Sequence, residues 1–285
     1  MEDTRLIKSL TDQRMDYPNL NLTQTVQNLL LVNIFDLHYD KLAWSEETGY
    51  NWNPEIAEKA FWRTLDTLLS YAENFPISEI WFPIGNDFFN SDGGYPNATT
   101  RGTPQEIVGR WQKTFREGRI MLAKAISRLS RIAPVVVPVI PGNHDWQKSF
   151  YLGDSLECFF QGNPAITIDN KATPRKYYTF GQNLIGFTHG KDEKLAEMHE
   201  LMSVQSPDWS DCRHRFMYLG HIHQERKISH ISSKDVKGLV VEFLPSLTAT
   251  DAWHHAKGFT GQYRGAKCYI HNHQRGRLAV FSHYE

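Results

Sequence analysis

The sequence predicts an α/β protein built on two sheets, with βαβ units in its first half and mostly strands in its second. Three observations carry this. Apolar runs of strand length alternate with helix-period stripes up to about residue 140. Short strand candidates then follow one another with a single helix among them. Five of the apolar runs stop at an Asp, Asn or His.

Residues 1–27 are polar and weakly periodic, which suits a short helix and lead-in forming an N-terminal extension. The run 29–35 is almost wholly apolar, as in strands buried on both faces, and stops at Asp36-Leu37-His38. Asn53-Pro54 supplies a helix cap followed by Pro at the first helical position. Ala57, Ala60, Phe61, Leu65, Leu68 and Leu69 then stripe a helix to about residue 73. A strand over 79–84 ends at Gly85-Asn86-Asp87. Gly93, Gly94, Pro96, Gly102 and Pro104 mark 90–104 as a long loop, a length usually kept for function. A helix is expected from about 104 to 132, then a strand over 135–140 that ends at Pro141-Gly142-Asn143-His144-Asp145. Pro83 and Pro138 fit central strands poorly and are expected at bulges or strand ends. Further strands are expected at 177–180, 184–188, 215–219, 239–244, 267–271 and 278–281, with a helix at about 193–202. No repeat or linker-like tract divides the chain, so 1–285 is expected to form a single domain.

Composition narrows the function classes. The chain has 285 residues, 31 Lys+Arg and 32 Asp+Glu, a net charge of −1 that excludes a strongly basic nucleic-acid coat but not a local basic groove. Cys158, Cys212 and Cys268 are too few and too scattered for a disulfide framework or a thiolate metal cluster, and they suit reduced thiols in a cytoplasmic protein. The start has no apolar leader core, no apolar run reaches about 18 residues, and no lipidation motif stands at either end, so no membrane association is expected. Thirteen histidines are the one unusual count.

The residues at the strand ends carry the chemistry. Asp36, His38, Asp87, Asn143, His189, His221 and His223 are seven metal-type donors, placed where α/β sheets bind ligands. In Asp36-x-His38 and His221-x-His223 the two side chains of each pair would leave one face of an extended backbone. Carboxylate, amide and imidazole donors without thiolate suit Mn, Fe or Zn better than Ca. A shared carboxylate can bridge two cations about 3.5–4 Å apart, the arrangement that drives in-line displacement at phosphorus. Taken singly, each His or Asp is as well explained as a hydrogen-bonded strand-end or turn residue; the ordered set of five blocks is not.

Asp36-Leu37-His38, Gly85-Asn86-Asp87-Phe88-Phe89-Asn90, Gly142-Asn143-His144-Asp145, Thr188-His189-Gly190 and Gly220-His221-Ile222-His223 resemble the five blocks of the calcineurin-like metallophosphoesterase superfamily. The stretch 87–104 and Asp251-Ala252-Trp253-His254 further resemble a standalone phage- and prophage-associated branch of DNA-repair-type exonucleases. The resemblance implies a four-layer α/β/β/α sandwich of two mixed sheets with a dimetal site at the strand C-terminal ends. It implies two divalent ions, Mn first, with Fe, Zn or Mg as alternatives. Asp36, His38, Asp87 and His223 would hold one ion and Asp87, Asn143, His189 and His221 the other. A metal-bound hydroxide would attack phosphorus, with His144 as the catalytic histidine. Two departures stand out. Asn86 intervenes between Gly85 and Asp87, and Asn90 takes the place of the acidic residue that orients the catalytic histidine in phosphatases of the family.

The expected activity is hydrolysis of phosphodiesters, first as a DNA nuclease of exonuclease type. Arg110, Lys113, Arg116, Arg119, Lys124, Arg128 and Arg131 stripe the helix after the long loop, opposed by Glu106 and Glu117. The stripe suits a nucleic-acid backbone and equally the solvated face of an amphipathic helix. Arg101 follows the Asp87 block closely and is a candidate phosphate ligand. Arg264, Lys267, Arg275 and Arg277 near Trp253, Phe259 and Tyr263 could hold a strand, or simply cover a core. His254 and His255 are candidates for the cleft rim. A small phosphodiester such as a cyclic nucleotide is the alternative substrate, the long loop acting as a lid. A non-catalytic metal-binding scaffold is the third reading. Nuclease relatives of this fold often dimerise, so a homodimer is compatible with the chain.

Overall fold

Two mixed β-sheets lie face to face in the computed structural model, which describes residues 27–93, 97–221, 233–250, 252, 255 and 263–285. The expected N-terminal helix, together with His223, Asp251, Trp253, His254 and Phe259, lies outside the described residues. The first sheet contains β1 (Asn28–Asn33), β2 (Ile77–Trp81), β3 (Ile84–Gly85), β4 (Val135–Ile140), β5 (Ile166–Asp169), β11 (Gly265–Asn272) and β12 (Gly276–Tyr284). Its order is β12-β11-β1-β2-β4, with β3 and β5 also paired to β4. The second sheet runs β6-β7-β8-β10-β9, from β6 (Lys176–Phe180), β7 (Asn183–Thr188), β8 (His214–Leu219), β9 (Ser233–Val236) and β10 (Leu239–Phe243). Strands β1 to β5 pair in parallel, as do β7, β8 and β10, whereas β11, β12, β6 and β9 join antiparallel.

Helices close both outer faces, giving the expected four layers. Ser45–Thr48 (α1) is a single turn. Pro54–Ala72 (α2), Trp111–Leu129 (α3) and Trp146–Phe159 (α4) cover the first sheet, and Met198–Gln205 (α5) covers the second. Alternation along β1 shows why both faces are apolar. Leu30 and Val32 pack under the helices with Leu65, Leu68 and Ile126, while Leu29 and Leu31 meet Ile185, Phe187 and Tyr218 of the second sheet. Asn53 caps α2 as expected, its side chain accepting from Ile56 N at 2.9 Å. Among the described residues, no helix is long and apolar enough to cross a membrane.

Pro83 falls in the break between β2 and β3, the strand-end position expected, whereas Pro138 departs from expectation. Ile80 and Trp81 pair with Val135 and Val136, and Ile84 and Gly85 pair with Val139 and Ile140. The offset is the same on both sides of Pro83, so β2 and β3 form one interrupted line without a bulge. Phe82 N–H still donates to Val136 O at 2.9 Å, so the nitrogen of Pro83 points toward the other edge, past the last β1 pair at Leu31 and Trp81. Pro138 lies inside β4, paired with Asp169. By the same alternation its missing donor faces the interruption at Pro83, where no ladder bond is lost.

Helix α3 begins at Trp111, not at about 104. Gly109 is left-handed (φ 78°), and the segment before it is stitched to the first loop by Val108 N–Asp40 O and a Lys41–Ile107 bridge. Helix α5 begins later than expected, after a tight turn at Leu195–Glu197. Helix α4 and the short polar strands β5 and β9 were not foreseen. Helix α4 hides its period by burying Lys148 and Ser149 while leaving Trp146, Phe150 and Tyr151 exposed.

Candidate metal centre

Five strand C-termini converge at one end of the sandwich. Beyond β1 lie Asp36 and His38, beyond β3 Asn86 and Asp87, beyond β4 Asn143 and His144, beyond β7 His189, and beyond β8 His221. Backbone bonds lock the first two loops together: Asp36 N–Asn86 O 3.1 Å, His38 N–Asp87 O 3.1 Å and Tyr39 N–Phe88 O 2.7 Å. The two sheets join beside them, where Leu247 N bonds Phe35 O and Ser246 Oγ donates to Asp36 O at 2.9 Å.

Two groups of donors form, Asp36–His38–Asp87 and Asp87–His189–His221, each with its ligand atoms within 4.8 Å of one another. Asp87 belongs to both. Asn143 Oδ1 lies 2.8 Å from His189 Nε2, at the edge of the second group. Asp36, His38 and Asp87 are fully buried. Asp87 Oδ2, 3.1 Å from His189 Nε2, takes part in no hydrogen bond among the described residues.

The backbone here is left-handed where an extended one was expected. Asp36, His38, Asn86, Asp87 and His221 have φ of 49°, 45°, 56°, 61° and 67°, and Lys237 is the one other described non-glycine residue with positive φ. Such conformations cost on the order of 1–3 kcal/mol each and cluster at functional sites. His221 therefore does not continue an extended strand, and Asp36 and His38 reach the site through tight turns. Glycines admit the close approach. A Cβ on Gly142 would collide with Asp87 Oδ1, and one on Gly220 would lie 2.5 Å from Asp36 Oδ2.

Further side chains orient the donors. The ring of His189 turns its Nδ1 to Asn86 Oδ1, so the inserted Asn86 has a role: it holds a donor histidine. Asp145 accepts from the N–H groups of Asp87, Phe89 and Gly142 at 3.1–3.2 Å and pins the turn that carries Asp87. Asn90 behaves otherwise than the resemblance implies. Its side-chain oxygen meets His38 Nδ1 at 2.9 Å, and its backbone carbonyl meets His144 Nδ1 at 2.9 Å. Beneath it, buried Asp40 accepts from Asn90 N and Thr114 Oγ1 and faces buried Lys148 at 3.7 Å. Asn86, Asp145 and Asp40 were legible only as turn or loop polars.

Electrostatics reflect crowding of carboxylates in a dry site. Burial, with Asp87 nearby, pushes Asp36 up to about 8. Burial would also raise Asp87, but His189 and His144 outweigh it and hold Asp87 well below the usual carboxylate range. His189 is lifted to about 9 against the effect of burial by Asp87 and Asp36. Burial lowers His144, and burial with His189 nearby lowers His221 to about 4. Buried charge of this density is normally met by partners or metal. The shared carboxylate, the orienting bonds on the outer nitrogens of His38 and His189, and the glycine cradle all fit a site for divalent metal.

The remaining candidates separate. Arg101 is 72 % exposed and pairs with Asp192 at 3.1 Å on the rim, next to Thr100, whose N–H bonds Asn143 O. On α3 and its flanks Arg110, Lys113, Arg116, Lys124, Arg128 and Arg131 are exposed and Arg119 half-buried; Lys113 pairs with Glu117 and Arg128 with Asp66. His255 is exposed. The C-terminal cations are largely spent inside the fold. Arg264 lies over Tyr50 and Trp52 and near Glu285. Lys267 and Arg277 close on buried Glu242, which also accepts from Tyr269. Lys267 and Arg277 tie the two sheets together through Glu242, whereas Arg275 is exposed.

No family model matches the chain, and no curated protein matches it. Among solved structures it is similar to a double mutant of Vps29 from Entamoeba histolytica, with 12 % identity, coverage of 90 % of this chain and 99 % of that one, and a TM-score of 0.33. It is also similar to Vps29 from Chaetomium thermophilum, with 10 % identity, 90 % and 95 % coverage and a TM-score of 0.35.

Proposed function

We propose that this chain is a dimetal-dependent phosphodiesterase acting on nucleic acid, with DNA as the first substrate. The supporting observation is that two donor groups share Asp87 while the His144 ring stands edge-on to His38, 4.7 Å between centroids. Asp36, His38 and Asp87 would hold one divalent ion, and Asp87, Asn143, His189 and His221 the other; His223 belongs to the first set in this reading. When bound, such a pair supplies Lewis-acid stabilisation of charge developing at phosphorus, with Mn the first choice by donor type.

The chain's own residues do the rest. Asn90 O fixes the proton of His144 on Nδ1, which leaves Nε2 as the atom that holds or delivers a proton at the leaving oxygen. Asn90 and Asn86 set the rings of His38 and His189 so that the opposite nitrogens turn inward. Asp145 holds the Asp87 turn in place during turnover. Arg101, released from Asp192, reaches a phosphate at the rim. Three free thiols, Cys212 and Cys268 buried and Cys158 exposed, fit a reducing, cytoplasmic setting.

One observation favours a smaller substrate. The cleft lined by Asn143, His189 and Asp192 encloses only about 60 Å³, room for one phosphoryl group and not for a duplex, and the Arg101–Asp192 pair stands at its rim. Purified protein with Mn²⁺ is to be given plasmid, single- and double-stranded oligonucleotides, cyclic nucleotides and chromogenic esters. DNA cleavage that vanishes in Asp87→Ala and His144→Ala supports the proposal. Cleavage of cyclic nucleotides with DNA left intact replaces it by the smaller substrate. No cleavage of any ester overturns both in favour of a scaffold.

A further inference from the structure

Helix α4 carries an outer face that the core does not use. Trp146, Phe150 and Tyr151 remain 45, 45 and 54 % exposed, while Ser149, Leu152 and Leu156 turn inward. Trp146 and Phe150 are four residues apart and share one side of the helix, and the Phe150 and Tyr151 rings stand edge-on at 6.4 Å. Three large rings left exposed within six residues form an aromatic patch of the kind that marks binding surfaces.

They are not isolated. With Val139, Pro141, Asn170 and Lys171 they line a hollow of about 270 Å³. Pro141 and Trp146 also line the cleft that contains Asn143 and His189, so the aromatic hollow and the metal cleft share a wall. The volume lies just below the ~300–1,000 Å³ that ligand sites span, enough for one flat ring system. Its wall offers aromatic faces, the Lys171 ammonium and the Gln147 amide. Asn170 stiffens it by donating to Phe150 O at 3.0 Å. A group bound here would sit one short linker from a phosphate held at Asn143 and His189.

We propose that this hollow seats the nucleobase next to the scissile phosphate. The inference rests on the phosphodiesterase reading and adds a subsite to it: a seat for the base that the ester carries, beside the place where its phosphate is held. Recognition is by stacking, which every base satisfies, so the seat discriminates base-bearing from base-free esters and not one base from another. Lys171 adds attraction for the neighbouring phosphate.

The test is equilibrium binding with Mn²⁺ present, by calorimetry, using adenosine 5′-monophosphate and methyl phosphate as probes. Stacking of this kind is worth about ten-fold or more in affinity. The nucleotide is therefore expected to bind about ten-fold tighter than methyl phosphate. Phe150→Ala and Tyr151→Ala, both on the exposed face and away from the donors, are expected to shrink that margin to about two-fold and leave methyl phosphate binding unchanged. Equal binding of the two probes by the wild-type chain, or a margin that both variants keep, overturns the proposal. So does a dimer in light scattering that Phe150→Ala dissolves, which would assign the face to a second copy. Oligonucleotide hydrolysis, measured separately, decides the phosphodiesterase reading. Hydrolysis without a margin removes the base seat alone, and a margin without hydrolysis removes the catalytic reading alone.

Discussion

His38 and Asn90 are joined ring to amide, Nδ1 to Oδ1 at 2.9 Å, across fifty-two positions of chain and wholly inside the protein. The bond sets the tautomer of His38 and turns Nε2 toward the donors of its group. Removing such an orienting partner typically lowers metal affinity by about 10- to 100-fold. Asn90→Ala is therefore expected to weaken one of two Mn²⁺ affinities by that factor, while Asn90→Asp, which keeps an acceptor, holds it. Calorimetric titration reads both. Equal losses in the two variants would disprove the orienting role.

Asp87 lies in both donor groups, and His221 in only one. Asp87→Asn is expected to abolish both Mn²⁺ sites, whereas His221→Ala leaves the Asp36–His38 side able to bind. Thermal unfolding gives an independent reading, since a ligand at about 100 times its dissociation constant adds about 2.7 kcal/mol. The wild-type chain should melt higher with Mn²⁺, Asp87→Asn should not respond, and His221→Ala should fall between. A full response from Asp87→Asn would show that the groups are held apart by other residues.

Gly142 has no room for a methyl group: its Cβ would meet the Asp87 carboxylate and the Asp87 backbone nitrogen. Gly142→Ala is expected to cost about 1–3 kcal/mol of stability through forced displacement and to remove the Mn²⁺ response as Asp87 moves. Gly102→Ala is the control. That position is left-handed (φ 80°) with open space around it, so about 1–2 kcal/mol of backbone strain is expected with the Mn²⁺ response intact. Chemical denaturation with and without Mn²⁺ distinguishes the two.

Far from the donors, burial, with Arg277 and His214 nearby, pushes His271 down to about 3, and the Tyr218 hydroxyl lies 2.9 Å from its Nε2. The unfolded chain takes up a proton near pH 6.5 that the folded chain refuses until about pH 3. Stability therefore falls with pH through this window, by about 1.4 kcal/mol per unit below pH 6.5, and the term is absent above it. His271→Leu is expected to be less stable than wild type at pH 7.5 and to lose stability less steeply between pH 6 and 4. Urea unfolding at pH 7.5, 6, 5 and 4 measures both slopes; parallel slopes would refute the assignment.

Much of this molecule could be read from residue order because its central strands are apolar on both faces and stop at polar residues. The run 29–35 and the run 135–140 needed no tertiary information, and neither did the Asn53 cap. Helix α4 did need it. Lys148 is buried there by Asp40 and by the rings of Phe89 and Trp111, and no periodic pattern foretells a buried lysine. The start of α3 was misplaced because Gly109 and the bond to Asp40 act across the chain. At the site, donor types and order were legible, but their support was not. Asn86 reads as an insertion until His189, one hundred and three positions later, is seen to rest on it. Lys267 and Arg277 suit a nucleic-acid strand as well as a covered core until Glu242 is placed between the sheets.

The left-handed turns at Asp36, His38, Asp87 and His221, and at Asn86, which holds His189, restrict which residues can ever replace the donors and their support. Asp, Asn and His are the non-glycine types that accept this backbone most readily, and they are also hard and borderline metal ligands. At these five positions one short list of amino acids satisfies both demands. Glutamate and cysteine can bind the same cations, yet they would add backbone strain and reach from the wrong place. Exchange of one listed type for another would retune the centre, while chemically equivalent donors from outside the list would dismantle it.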